Sequence, residues 1–292
     1  MNERSYLVAQ SDGLVEAWSV ERLQFEPRGW QRELRAELRS AIAALGNGTG
    51  FLAACYASPI CDPSCDIENV LFYNVGSGFA LTTQEGLRFE RQFRAPPPPP
   101  GHPLSSPALH YHRYEVARAE SFFVHWREGT LVARSPDVSL PRLSPETKPA
   151  AVWWSMRQAA VDTYGQFDPA GWFALRLELT APFGTASAAA LIKIIVDGFV
   201  SSLHNHDGSF TNELAQRIST QIGQPADQIA HLLRDRRDAP LGTKTLVHRR
   251  ASGVQWAPND ARCVACQLVV TRGAAATSLR GDLHAVMPAD SS

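Results

Sequence analysis

Five consecutive prolines, Pro96 to Pro100, constrain this chain more than any other feature of its sequence. Proline has a fixed φ and no backbone N–H, so the run is held in polyproline II and can enter neither a helix nor the middle of a sheet. With Gly101, Pro103 and Pro107 it reads as a stiff linker. A single core stops growing at roughly 250 to 300 residues, and the chain has 292. The run is therefore the expected boundary of two domains, 1–94 and 108–292, joined by a linker over 95–107. A proline-binding partner is the functional reading of the same run, and a surface spacer is the simpler one.

Hydrophobic residues make up 44% of the chain and charged residues 20%, which excludes a disordered, collagenous or disulfide-scaffold protein. Lys and Arg together number 28 against 29 Asp and Glu, so no global field draws the chain to a polyanion or a membrane surface. Lysine occurs only at 148, 193 and 244, and arginine carries the remaining positive charge. Arginine suits phosphate, but GC-rich codon usage would enrich it equally. Residues 1–13 lack the basic and apolar regions of an export signal. The longest apolar stretch, Ala188 to Val200, is broken by Lys193 and Asp197 and falls short of the roughly 20 residues that span a bilayer. The expectation is a soluble, cytoplasmic chain without a membrane partner, its five cysteines reduced.

Helix and strand patterns alternate irregularly, which predicts an α+β fold. Trp30, Leu34, Leu38 and Ile42 form an amphipathic stripe closed by Gly46. Phe51 to Ala57 reads as a strand, and Val70 to Val75 fits strand or helix equally. Gly78 to Phe93 reads as a hairpin turning near Glu85-Gly86. Tyr111 to Arg134 reads as an antiparallel meander with its last turn at Glu128-Gly129. A helix from Ser144 carries Val152, Trp153 and Met156, and a strand follows over Trp172 to Leu179. The apolar helix of Thr185 to His204 comes next, then helices over 212–222 and 225–234 and strands near 245–248 and 267–271.

The succession of helix, strand and turn before a polar cluster occurs twice, over Trp30 to Asn69 and Ser144 to Asp207, so an internal duplication of a strand-helix unit with antiparallel sheets is one reading. The first cluster, Asp66-Ile67-Glu68-Asn69, places two carboxylates where they could hold magnesium, which takes oxygen ligands. Helix capping by Asp66 is the simpler alternative. In the second, Lys193 and Asp197 lie one helical turn apart and Asp207 follows in the loop His204 to Gly208. A structural Lys193–Asp197 pair competes there with a phosphate-binding lysine.

A turn, then D-x-[DE]-N opening a helix that continues to a lysine, an aspartate four residues later and an acid beyond the helix, resembles the RusA family of Holliday-junction resolvases. In that family the motif carboxylates and the later acid bind magnesium, and the lysine assists phosphodiester hydrolysis on a homodimer. The first copy here matches at Asp66, Glu68 and Asn69, with Phe72 and Gly76 where the lysine and the next aspartate would stand. The second matches at Lys193, Asp197 and Asp207, with Ser187, Ala189 and Ala190 replacing the acids and the asparagine. Each copy keeps the half that the other lacks, so neither alone assembles the family's metal centre. The resemblance implies Asp66 and Glu68 as magnesium ligands and Lys193 and Asp207 as catalytic groups.

Other clusters compete. His204 and His206 with Asp207, and His110 with His112, have transition-metal spacing. Cys61 with Cys65 and Cys263 with Cys266 could complete a zinc site, although a strand over 263–270 would turn the second pair to opposite faces. Arg234, Arg236, Arg237, Lys244, Arg249 and Arg250 form the one local excess of positive charge, diluted by Asp235 and Asp238, and five of them, Arg234, Arg236, Arg237, Arg249 and Arg250, are candidate nucleic-acid contacts. Trp256 to Asp260 reads as a tight turn packing a core edge. Phosphate-loop, dinucleotide, G-x-S-x-G and H-E-x-x-H motifs are absent from the sequence. Three functions fit: a nucleic-acid-acting or nucleic-acid-binding protein with a degenerate magnesium-dependent core, a non-catalytic protein-interaction subunit, or a metal-dependent small-molecule enzyme.

Overall fold

The computed structural model describes residues 4–46, 50–59, 65–76, 78–102, 104–117, 123–165, 167–237 and 239–289. The fold is α+β. Strands β1 (Tyr6–Ser11) and β2 (Leu14–Ser19) lead to helix α1 (Trp30–Leu45), strand β3 (Phe51–Ala57), a π-helical turn (Asn69–Tyr73), and strands β4 (Gly86–Arg91) and β5 (His110–Ala117). There follow β6 (Trp126–Leu140), α2 (Pro149–Gln158), β7 (Asp162–Thr163), β8 (Phe173–Ala181) and α3 (Ala188–Ser202). An elaboration comes next: β9 (Asn205–His206), α4 (Thr211–Ile222), α5 (Ala226–Arg234), β10 (Thr243–Lys244), β11 (Val247–Arg250) and β12 (Gly253–Trp256). A short 3-10 turn (Asp260–Arg262), β13 (Cys263–Arg272) and β14 (Thr277–Pro288) close the chain.

Ten strands form one sheet in the order β1-β2-β5-β3-β4-β13-β8-β14-β6-β7. Its two sides repeat one arrangement. On one side β4 runs parallel to β3, which is antiparallel to β5, itself antiparallel to β2. On the other β13 runs parallel to β8, which is antiparallel to β14, itself antiparallel to β6. The sides meet at the antiparallel pair β4 and β13, centred on Gln267 opposite Arg88. An approximate twofold axis through this pair thus relates the strand orders, and in each half a helix, α1 or α2, precedes the first of the two parallel strands, β3 or β8. The elaboration from β9 to β12 is inserted between α3 and β13 in the second half alone, with its own core of Leu214, Ile218, Ile229 and Leu233 against Trp153.

The helices share one principal core on the sheet. Leu34, Leu38 and Ile42 of α1, Val152 and Met156 of α2, and Leu191, Ile195 and Phe199 of α3 join Leu52, Leu87, Phe89, Leu175 and Leu177 in it. The spacing of four residues in each helix brings these side chains onto the sheet. Helix α3 is buried on nearly every side, as its predominantly apolar sequence requires. It approaches α2 closely at Gly198, where a Cβ would lie 2.5 Å from Val152 Cβ and 2.8 Å from the Pro149 carbonyl.

Three sequence expectations are corrected here. The proline run does not divide two domains: β5, beyond it, enters the sheet between β2 and β3, and Trp18 Nε1 donates to the Pro96 carbonyl at 2.8 Å. The segment covers a sheet face, where Ala95 and Leu104 pack against Trp18, Leu109 and Tyr111. No hairpin turns at Glu85-Gly86, because β4 takes β3 as a parallel neighbour and β13 as its antiparallel one. The meander is also absent: β5 and β6 lie in opposite halves, and β6 runs unbroken through Glu128-Gly129.

Candidate metal centre

Glu68 is wholly buried, and neither carboxylate oxygen has a hydrogen-bond partner. Such a group is costly unless something positive meets it. It stands just before the π-helical turn that follows β3, and Asp66 precedes it by two residues, partly exposed and accepting a hydrogen bond from Asn69 Nδ2 at 2.8 Å. From the other half, α3 presents Lys193 and Asp197, whose side chains pair at 3.0 Å. Lys193 Nζ also lies 3.9 Å from Glu68 Oε1. A third segment, the 3-10 turn ahead of β13, adds Asp260, hydrogen-bonded to Asp197 and only 9% exposed. One carboxylate oxygen each from Asp66, Glu68 and Asp260 falls within a mutual 4.8 Å.

Four carboxyl groups therefore face one ammonium. Burial raises the pKa of Glu68 and Asp260 well above the usual carboxylate range, and the neighbouring acids add to it. Asp66 and Asp197 are raised by burial too, against the pull of Lys193. Burial opposes the charge of Lys193, but Asp197, Glu68 and Asp260 together outweigh it and raise its pKa. The excess negative charge is relieved either by protons or by a cation. Oxygen donors in a mutually close trio suit a hard divalent ion, so Asp66, Glu68 and Asp260 could hold a metal.

The centre is reached from a cleft of ≈ 290 Å³ lined by Arg22, Phe25, Asp66, Asn69, Tyr73 and Lys193, among others. Phe25 and Tyr73 stack at its edge with ring centroids 4.9 Å apart and planes 7° from parallel. Both rings stay about half exposed. The loop bearing Phe25 is held by Gln24 N–H donating to Gln31 Oε1 and by Asn74 Nδ2 donating to the Leu23 carbonyl.

Of the residues expected from sequence, Asp66, Glu68 and Lys193 come together, so the polar cluster after β3 and the one on α3 form a single group. Asp207 stays outside it, its carboxylate engaged by Thr245 Oγ1 and the Ser209 N–H as a turn closure. Hydrogen bonding to that carboxylate lowers its pKa to about 2 despite partial desolvation. His204 is buried and held near pKa 4, chiefly by burial, with Asn259 N–H donating to Nε2 and Nδ1 3.3 Å from the Gly242 carbonyl. His206 Nε2 lies 2.8 Å from the Ser209 carbonyl. His110 Nδ1 meets Tyr56 OH at 2.7 Å, and His112 is sealed, with burial lowering its pKa to about 3. Neither histidine pair gathers three ligands among the described residues. Cys263 and Cys266 are buried thiols, and Cys61 lies outside the described residues.

The arginine cluster is largely engaged within the molecule. Arg234 donates to Asn212, Arg236 to the His206 carbonyl, and Arg237 to Asp235 and the Ala159 carbonyl. Arg249 pairs with Glu213 and covers the Phe210 ring, whereas Arg250 is exposed at the end of β11. Asp238 lies outside the described residues. Asp260 was not legible as a site residue: its turn does pack Trp256 on Trp153, as expected, and nothing in its sequence neighbourhood marks the carboxylate. Comparison with protein-family models and with curated proteins gives no match for this chain.

Proposed function

We propose that the protein is a magnesium-dependent phosphodiester hydrolase acting on nucleic acid, built from two fused copies of a RusA-like unit. The observation that carries this reading is Glu68: a fully buried carboxylate with no hydrogen-bond donor, beside Asp66 and Asp260 and within reach of Lys193. A core this costly is retained for a ligand, and a divalent cation answers both the charge and the missing bonds. When bound by Asp66, Glu68 and Asp260, such an ion would supply Lewis-acid stabilisation of a phosphoryl group and a more acidic water.

The residues around it have complementary parts. Lys193, fixed by Asp197, keeps its charge and faces the cleft, where it can neutralise a non-bridging phosphate oxygen. Asn69 fixes the Asp66 carboxylate. Arg22 adds positive charge to the cleft wall, and the Phe25–Tyr73 pair offers an aromatic face of the kind on which bases stack. The matching strand orders favour duplication, because a fused dimer accounts for both the repeated topology and the two half-motifs. Asp207 and the arginine cluster have no part in this scheme.

The test is cleavage of branched, duplex and single-stranded DNA and RNA with and without magnesium. Wild-type protein should cut at least one of them only with the metal, and Asp66→Ala should lose the activity by at least about 100-fold, in line with the loss of a metal ligand or a leading electrostatic group. Cleavage undiminished in Asp66→Ala, or none on any substrate, contradicts the reading.

A further inference from the structure

The approximate twofold between β4 and β13 gives the metal centre a counterpart position, and its residues can be read one by one. The centre draws Asp66, Glu68 and Asn69 from the start of the helical segment after β3, Lys193 and Asp197 from α3, and Asp260 from three residues ahead of β13. Across the axis, the start of the helix after β8 carries Ser187, Ala189 and Ala190. The helical turn after β3 offers Phe72, with Gly76 just beyond its end, and three residues ahead of β4 stands Thr83.

The correspondence is geometric as well as topological. Asp260 lies against the start of the first-half helical segment, and Thr83 lies against the start of α3, its carbonyl accepting the Ala188 N–H at 3.3 Å. Phe72 packs its ring against Phe79 and Phe89, with centroids 5.3 Å and 6.2 Å away. Where one position gathers four carboxyl groups and an ammonium, the counterpart residues Ser187, Ala189, Ala190, Phe72, Gly76 and Thr83 include no carboxylate. The charged groups beside them are guanidinium, Arg39 against Gly76 and Arg272 on the Gln84, Thr185 and Ala186 carbonyls, and a guanidinium cannot ligate a cation. No other trio of potential ligands is found among the described residues.

We infer that the protein cuts one strand of its nucleic-acid substrate per encounter, as a nicking enzyme, because a twofold-like scaffold presents one reactive centre where a symmetric one would present two. The inference rests on the phosphodiesterase reading above and adds the outcome of its reaction. Each event is a hydrolysis: a water oxygen bonds to phosphorus and one P–O ester bond breaks. One water proton ends on the released hydroxyl and the other on the new phosphate monoester or in solvent. At the counterpart position Thr83 and Phe72 are buried and Ala189 is aliphatic, so no group there can bind a cation for the opposing strand. A second cut requires release and rebinding in the other orientation.

The experiment uses a supercoiled plasmid bearing one extruded cruciform, incubated with magnesium and the full chain in excess, and resolves closed, nicked and linear forms over time. Nicked circles should form first, with linear molecules trailing as a second-step product, and Asp66→Asn should lose both. Linear molecules appearing as the first product, without a nicked intermediate, would overturn the inference while leaving the phosphodiesterase reading in place. Absence of any metal-dependent product, here and on the other nucleic acids, would overturn the phosphodiesterase reading and the inference with it.

Discussion

Glu68 works against folding. A carboxyl group without hydrogen bonds in the core contributes less than a methyl-bearing side chain of the same size would, so Glu68→Met should stabilise the metal-free protein by about 1–2 kcal/mol in denaturant unfolding while removing metal-dependent stabilisation. The pH dependence follows from the direction of the shifts. Burial raises the folded-state pKa of Glu68, Asp260, Asp66 and Asp197, so the unfolded chain gives up these protons first. Their contribution is fully present below the ordinary carboxylate pKa of about 4 and is lost as pH rises through the folded values. A cation needs the ionised forms, so the increase in Tm produced by magnesium should grow from pH 5 to pH 8, and Glu68→Met should flatten that growth. Asp66 with Glu68, and Lys193 with Asp197, were legible as two separate pairs because a short, fixed spacing sets each pair on one local element. Asp260 was not, since only the assembled sheet brings its turn to theirs.

At the level of elements, the helices were legible almost throughout, because an apolar stripe reports directly on the face that a helix buries. Strand partners were not. The Glu128-Gly129 pair reads as a turn in isolation, yet Gly129 lies within β6 beside β14, where an added Cβ would come 3.2 Å from the Ala285 carbonyl. Register shifts in β14 between Leu283 and Val286 mark an irregularity there, and the glycine serves close backbone approach, not chain reversal. The same logic makes Gly198 a determinant of the centre, since it sets how near α3 can lie to α2 while α3 carries Lys193 and Asp197. Gly198→Ala should destabilise the fold by about 1–3 kcal/mol through overpacking, and by displacing α3 it should weaken metal binding as well. Unaltered stability in thermal unfolding would show that α2 and α3 can separate freely, contrary to the packing described.

For the molecule as a whole, the proline run was misleading because stiffness is a local property and domain division is not. A polyproline segment crosses a sheet face as readily as it spaces two domains, and here Trp18 and Leu104 dock it. The two polar clusters, by contrast, were legible one at a time but not as partners: they stand far apart in sequence, whereas the assembled sheet, with β4 and β13 paired at its centre, brings them side by side. The acidic cluster that could hold a metal is therefore a property of the joined sheet. Calorimetric titration of magnesium and manganese into the wild-type chain and into Asp66→Asn and Asp260→Asn, one change in each half, tests this most directly. The wild type should bind, and either substitution should weaken binding by about 10- to 100-fold, as expected for lost ligands. Binding that survives both substitutions unchanged, or a wild type that binds neither ion, would contradict a centre shared between the two halves.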